Sequence, residues 1–262
     1  IKCPNDQLPL FNGTSESFVN QLDEYLNSHN KKKSGDDVIG GLFKFKYKNH
    51  LVFFDVGSPP KKSFSKRYQS GPLSFEYFLD GTKIISNSGF GNHISNKAEL
   101  LSRLTACQST LTLNDTSVSE FERNKLINKI FGHSIKNTFK TYIVNIKNEQ
   151  NLICCSAEHN GYEKNFSCIH KREIFLDKEN NYLKGSDHIF KKKDGIPIRY
   201  VFRFHINPAL TVVKTMGGNS ALIQLSKNKS LIFTANNETL EIEKSIFLGG
   251  KKILDSTCIS IS

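Results

Sequence analysis

The sequence contains no tryptophan and a single methionine, and no apolar run in it approaches the roughly 18 to 20 residues that cross a bilayer as a helix. A helical membrane span is therefore excluded by length alone. The opening residues, IKCPNDQLPLF, have neither the basic region nor the apolar region of a secretory leader, and the chain does not start with Met. It reads as a fragment or a processed product. The six cysteines (Cys3, Cys107, Cys154, Cys155, Cys168 and Cys258) include no C-x-x-C pair, which removes the common redox and zinc-ribbon spacings. Cys154 and Cys155 would point to opposite faces of a strand, so these read as ordinary buried thiols, and spacing does not decide whether any two are bonded. Also missing are a G-x-S-x-G elbow, a P-loop and an H-E-x-x-H pair, and Gly89-Phe90-Gly91 is too short for a dinucleotide fingerprint.

What is present is a repeating two-residue alternation. In GLFKFKYK, Phe43, Phe45 and Tyr47 alternate with Lys44, Lys46 and Lys48, which describes a strand with one dry and one wet face. HLVFFDVG follows as a second strand. PLSFEYFLDGTKIISNSG reads as a hairpin about Asp80-Gly81, a dipeptide that tolerates the positive φ angles of a tight turn. STLTLND, FKTYIVNIK, NLICCSAEH, SCIHKREIFLD, IRYVFRFHI, SALIQLS, SLIFTAN, TLEIEKSIFL and STCISIS continue the series. Helical spacing is confined to Ser17 to Ser28, to a short segment at Asn96 to Leu104 with Asn96 as cap and Glu99 three residues on, and to Phe121–Gly132, read as loop or short helix. So many strands with so few helices predict an all-β fold: a large antiparallel β-sandwich with a short N-terminal helix and minor helical excursions. Its 262 residues are organised as a helical lead-in over 1–35 and one β-sandwich domain over 36–262.

The formal net charge is +11, with lysines both in clusters (31–33, 61–62, 191–193) and singly along strands. Solvated loops and strand faces account for much of this. The sharper reading is attraction to a polyanion, and because helix-turn-helix, RRM and zinc-finger patterns are all absent, an acidic glycan is the expected partner and a nucleic acid is not. Candidate contacts come from strand alternation. Arg203 and His205 share the face of RYVFRFHI opposite Tyr200, Phe202 and Phe204, His170 and Arg172 share one face of SCIHKREIF, and His159 and Tyr162 lie just upstream. Arg can hold a carboxylate or sulfate bidentately and Tyr can stack or donate a hydrogen bond, so these six residues form the predicted substrate groove.

The order of several motifs adds to this. VFFDVGSPP, SGPLSFEYFLDGTKIISNSG, TACQSTLTLNDTS, EHNGYEKNFSCIHKREIFL with LKGSDHI, and YVFRFHINP resemble, in that succession and over about residues 8 to 262, the C-terminal domain of the heparinase II/III family, especially its alphaproteobacterial branch. The resemblance implies a supersandwich-like fold that follows an upstream α/α toroid. It implies a polysaccharide lyase that cleaves uronic-acid glycans such as glycosaminoglycans by β-elimination in the cell envelope or periplasm, with the cytoplasm left open. The toroid, which carries most of the catalytic residues, is not in this chain, so the chain alone is expected to be inactive. Many members hold a structural zinc in the sandwich through two His and one Asp. The matching positions here are Gln69, Asn87 and Gln108, all neutral amides and poor zinc ligands, so no zinc is expected and a hydrogen-bonded substitute is. Arg67 stands where the family has a further catalytic-site His. These departures define the alternative, a non-catalytic acidic-glycan-binding or structural module.

Overall fold

The computed structural model describes residues 3–4, 8–14, 38–193, 198–236 and 238–262. The helix expected over Ser17 to Ser28 lies outside the described residues. Sixteen strands dominate what is described. The first five are β1 (Val38–Ile39), β2 (Leu42–Tyr47), β3 (His50–Asp55), β4 (Phe75–Leu79) and β5 (Thr82–Ser86), followed by β6 (Leu111–Leu113), β7 (Thr141–Asn148) and β8 (Leu152–His159). Then come β9 (Cys168–Asp177), β10 (Tyr182–Lys191), β11 (Tyr200–Ile206), β12 (Thr211–Lys214), β13 (Ser220–Ser226), β14 (Lys229–Thr234), β15 (Leu240–Phe247) and β16 (Leu254–Ile261).

These form three sheets. The largest has nine strands in the order β1-β2-β3-β4-β5-β11-β16-β15, with β6 paired to β11 off that path; the others are β10-β9-β8-β7 and β12-β13-β14. All of their pairings are antiparallel. The β4–β5 hairpin turns on Asp80 (φ 51°) and Gly81 (φ 80°), the left-handed pair that the Asp-Gly dipeptide supplies.

One main core joins all three sheets. Phe43, Phe54, Phe75 and Phe204 of the large sheet meet Ile174 and Leu176 of β9 and Ala221 and Ile223 of β13, so the two smaller sheets share one layer opposite the large one. Every residue of β3 is buried, because its outer face, carrying Leu51 and Phe53, is covered by Cys3 and Phe11 of the N-terminal strap. That explains why HLVFFD reads as a continuous apolar run where β2 alternates.

Among the described residues helices are few and short: α1 (Asn96–Ser102), α2 (Lys125–Phe131) and α3 (Glu163–Phe166). The α1 cap differs from expectation. Ser95 is the capping residue, its Oγ accepting from Ala98 N at 3.1 Å, while Asn96 already lies in the first turn. The segment read as loop or helix over Phe121–Gly132 contains α2, capped by Asn124. Strands β1, β10 and β12 were not among the expected ones. β10 carries Gly, Ser, Asp and His between its apolar residues, and β12 is only four residues long. All six cysteines are free thiols; five are buried and Cys107 is half-buried.

Candidate functional site

β8 ends on His159, and β9 pairs with it so that His170 lies directly opposite. β10 then places Asp187 opposite Arg172. Three neighbouring strands thereby bring four polar side chains together on the inner face of one sheet. Their hydrogen bonds fix each proton. Gly161 N–H donates to His159 Nδ1 at 3.1 Å, so the His159 proton sits on Nε2 and points at His170 Nδ1, 3.3 Å away. His170 must then carry its proton on Nε2, which donates to Asp187 Oδ1 at 2.7 Å. Arg172 closes the chain: Nε donates to Asp187 Oδ1 at 2.8 Å and Nη2 to Oδ2 at 3.1 Å, while Nη1 donates to the carbonyls of Leu73 at 2.9 Å and Ser109 at 2.8 Å. Its guanidinium lies over the rings of Phe75 and Phe204.

The electrostatics follow from this geometry. Burial holds His159 well below the ordinary imidazole range, reinforced by the His170 and Arg172 charges. Burial also lowers His170, against the opposing pull of Asp187. Burial alone would raise Asp187, but the Arg172 charge and the His170 hydrogen bond outweigh it and bring the carboxyl down to about 2. The ensemble is a neutral His–His relay ending on a carboxylate neutralised by arginine.

Five of the six predicted groove residues are interior. His159, Tyr162, His170 and Arg172 are at most 1% exposed and His205 is 5% exposed. The Tyr162 hydroxyl donates to Leu111 O at 2.9 Å. His205 Nε2 donates to Ala106 O at 2.9 Å and its Nδ1 accepts from Ser245 Oγ at 3.0 Å, and burial lowers it to about 4. Of the six, only Arg203 reaches solvent in part, donating to Thr112 Oγ1 at 2.6 Å with Asp115 beyond it. The groove as drawn from alternation is therefore corrected. Alternation tells which residues share a face, but the face carrying His170 and Arg172 is the inner one, and the face carrying His205 is covered by the segment around Thr105–Ser109.

A second buried polar centre lies at the N-terminal strap. Gln69 Oε1 accepts from Gly13 N at 2.9 Å, and its Nε2 donates to Gly89 O and Ser102 O, both at 3.1 Å. Asn87 Nδ2 donates to Leu10 O at 3.1 Å while Oδ1 accepts from Ser109 N at 2.9 Å, and Gln108 Nε2 donates to Ser102 O at 2.8 Å. All three amides are at most 2% exposed. Two of the three carbonyl oxygens are thus already committed to backbone N–H groups, so these side chains do not fit a zinc ion. Among the described residues no group of three or more His, Cys, Asp or Glu is arranged to hold a metal.

Sequence reasoning overlooked several polar residues. Asp187 was inside a quoted motif but had no signal of its own until β10 paired with β9. The Lys83–Glu76 ion pair (3.3 Å, both buried) and the His50 Nδ1–Tyr77 OH hydrogen bond (2.8 Å) join residues whose alternation looked ordinary. Between the layers, a cleft of about 920 Å³ opens where β10 and β14 face each other, lined among others by Arg172, Asp187, His50 and Tyr77.

This two-layer antiparallel sandwich is a polysaccharide-lyase-related β-module. The chain belongs to the heparinase II/III-like family: the profile described as "Heparinase II/III-like, C-terminal" matches residues 31–261. Among solved structures it superposes on the heparan sulfate lyase HepC from Pedobacter heparinus with a TM-score of 0.74 at 15% identity, over 100% of this chain and 42% of that one. The "Heparinase III-BT4657 gene product" gives a TM-score of 0.72 at 14% identity, over 100% and 42%. A further heparinase III structure gives 0.69 at 13%, over 99% and 44%. At these identities the likeness is one of fold, and the chain spans about two fifths of the length of the enzymes it matches. A search of curated protein sequences returned no match.

Proposed function

We propose that the chain is the β-sandwich part of a polysaccharide lyase that cleaves acidic, uronic-acid-containing glycans by β-elimination in the cell envelope, acting with an α/α toroid domain of the same protein. In β-elimination a base removes the proton beside the uronate carboxylate, an acid protonates the leaving oxygen, and neutralising the carboxylate makes the first step feasible. The interior His159, His170 and His205 are committed to protein partners, so in this reading they organise the sandwich and the proton-transfer groups come from the toroid.

The observation that carries the reading is a basic surface. The two-turn 3-10 helix at Lys62–Arg67 packs against the segment around α2, where the Asn124 backbone N–H and then the charges of Lys136 and Lys62 lower the Glu122 carboxyl and Lys66 lies against Gly132. Phe64 and Leu126, each 77% exposed, belong to these same two segments. Cations beside apolar side chains suit a sulfated or carboxylated sugar, whose ring presents an apolar face and an anionic edge.

Ultraviolet absorbance of the unsaturated uronate product, followed on a panel of uronate glycans, tests the reaction. Signal is expected from the full-length protein and not from residues 1–262 alone. Reversing Lys62, Arg67 and Lys136 to Glu is expected to weaken glycan binding by residues 1–262 at least about tenfold at low salt, with the deficit shrinking as salt screens it. Product formation by no form of the protein, with charge-dependent glycan binding retained, would establish the second reading, a non-catalytic glycan-binding module, which the interior placement of five candidate residues favours.

The amide centre is, in the same proposal, a metal-free substitute for the family's zinc. A chelator is expected to leave the melting temperature unchanged. Gln69→Ala is expected to cost about 1 to 3 kcal/mol, because it orphans the part-buried Gly13 N–H and the Gly89 carbonyl, while Ser102 O keeps its bond from Gln108 Nε2. A chelator-dependent drop in melting temperature would sink the substitute.

A further inference from the structure

The second layer of the sandwich is built in two pieces. The four strands of β7–β10 and the three of β12–β14 lie opposite a path of eight strands in the large sheet. Between the pieces, among the described residues, β10 and β14 each pair on one side only, with β9 and β13 respectively. The cleft of about 920 Å³ occupies that seam, and its walls are consecutive residues, Asn181 to Asp187 on one side and Leu231 to Asn236 on the other. A sheet face would contribute alternate residues. Consecutive ones mean that two strand edges line the slot, each with a row of backbone N–H and C=O groups directed across it.

The two edges run in the same direction. At one end Lys229 is ion-paired with Asp80, Asp80 N bonds Asn49 O, and the neighbouring His50 ring is faced by the Asn181 amide. At the other end Phe233 packs on Phe204 at 5.0 Å, and Phe204 carries the guanidinium of Arg172 that holds Asp187. Along Asn181–Asp187 the slot is about 20 Å long and along Leu231–Asn236 about 17 Å at the rise of an extended strand, room for about six residues between the edges with one more beyond each end. Its floor is apolar, formed by Phe75, Tyr77, Phe204 and Phe233.

Two features show space reserved for an occupant. Gly185 pairs with buried Ile174 and so faces inward, yet a Cβ placed there would meet only Glu173 O, at 4.0 Å. His50 is 2% exposed, and among the described residues its Nε2 has no partner in hydrogen-bonding geometry, the Asn181 amide standing just beyond it. Charge is distributed unevenly along the slot: Lys184, beside the Lys229–Asp80 pair, lies toward the end where both strands begin, and Glu238 lies beyond the end of β14.

We propose that the seam between β10 and β14 is a strand-accepting site that takes an extended segment of a partner polypeptide, running antiparallel to both edges, with alternate apolar side chains over Phe75, Tyr77, Phe204 and Phe233. Such a segment completes an eight-stranded layer over the eight-stranded path and satisfies both rows of backbone groups. Its direction follows from the charges: basic residues at its N-terminal end meet Glu238 and acidic residues at its C-terminal end meet Lys184, since Lys229 is taken by Asp80. An acyl chain would fit the floor and leave both edges unpaired. A glycan would place hydroxyls against an aromatic floor.

The test uses residues 1–262 and synthetic octapeptides of alternating Val or Ile and Ser or Thr, with Lys first and Glu last, with those charges exchanged, or with the apolar residues scrambled. Binding is read by fluorescence anisotropy. The Lys-first peptides are expected to bind with micromolar affinity and about tenfold more tightly than the charge-exchanged set, and N-methylation of alternate peptide nitrogens is expected to abolish binding. Gly185→Phe, which fills the slot, is expected to weaken binding at least about tenfold. N-methylation needs no folded variant and keeps the test decisive if Gly185→Phe does not fold. Equal binding of scrambled and alternating peptides, indifference to N-methylation, no binding of any peptide, or occupation of the seam by palmitate or a uronate oligosaccharide in place of the peptides would overturn the proposal.

Discussion

Replacing Arg172 with methionine is expected to destabilise the domain by about 3 to 5 kcal/mol, measured by urea unfolding at neutral pH, because it leaves Asp187 ionised without its cation. The same change orphans the carbonyls of Leu73 and Ser109, both bonded to Nη1. Methionine restores much of the lost contact with Phe75 and Phe204, so the loss reports electrostatics and hydrogen bonding more than a cavity. Adding Asp187→Asn should recover a substantial part of the loss: the amide oxygen still accepts from His170 Nε2, and no buried charge is left unpaired. A loss below about 1 kcal/mol in the single variant would mean that the network is solvated and does not tie β9 to β10 and to the loops of the large sheet.

Acid is expected to unfold the domain well above the pH at which carboxylates alone would. His159, His170, His205 and His50 all titrate below the ordinary imidazole value because burial disfavours the imidazolium, with His205 lowered from 6.5 to about 4. For a group whose folded pKa is lowered, the unfolded chain binds more protons in the interval between the two values. The stabilisation is thus complete above pH 6.5 and is lost as pH falls toward the folded value. His205 alone accounts for about 3 kcal/mol between pH 6.5 and 4. Asp55 acts in the opposite sense. Burial raises it from 3.8 to about 7, so its contribution is complete below 3.8 and is lost as pH rises through 7. Four imidazoles against one carboxyl leave a net loss on acidification. The melting temperature should fall steadily from pH 7 to 4.5, and His205→Asn should flatten that slope. A melting temperature that holds or rises over this range would contradict the burial of these rings as neutral species. Asp55→Asn should raise the melting temperature at pH 7.5 and above while changing little at pH 4.

The two results bear on how the site was read from sequence. Tyr200, Phe202 and Phe204 on one face of β11, with Arg203 and His205 on the other, was a correct inference of side-chain direction. That the Arg and His face lay open was not, because the segment carrying Thr105–Ser109 returns over it and gives Ala106 O to His205. For His170 and Arg172 the inner and outer faces were exchanged: imidazole and guanidinium on alternate positions look like a wet face, whereas here they are buried together and neutralised by Asp187. That carboxylate lies 15 residues from Arg172 on a strand whose Gly and polar content concealed it. Gln69, Asn87 and Gln108 were singled out by motif order alone, and the structure adds the backbone groups to which each amide is bonded.

The sequence by itself determined the all-β class, the hairpin on Asp80-Gly81, most strand positions and the family, because two-residue periodicity and turn chemistry are local and survive without knowledge of the fold. Only the tertiary structure decided which face of each strand is covered, which charges are paired and where a seam remains open. Those outcomes depend on contacts between residues tens of positions apart, and no local pattern encodes the sheet that will lie on top.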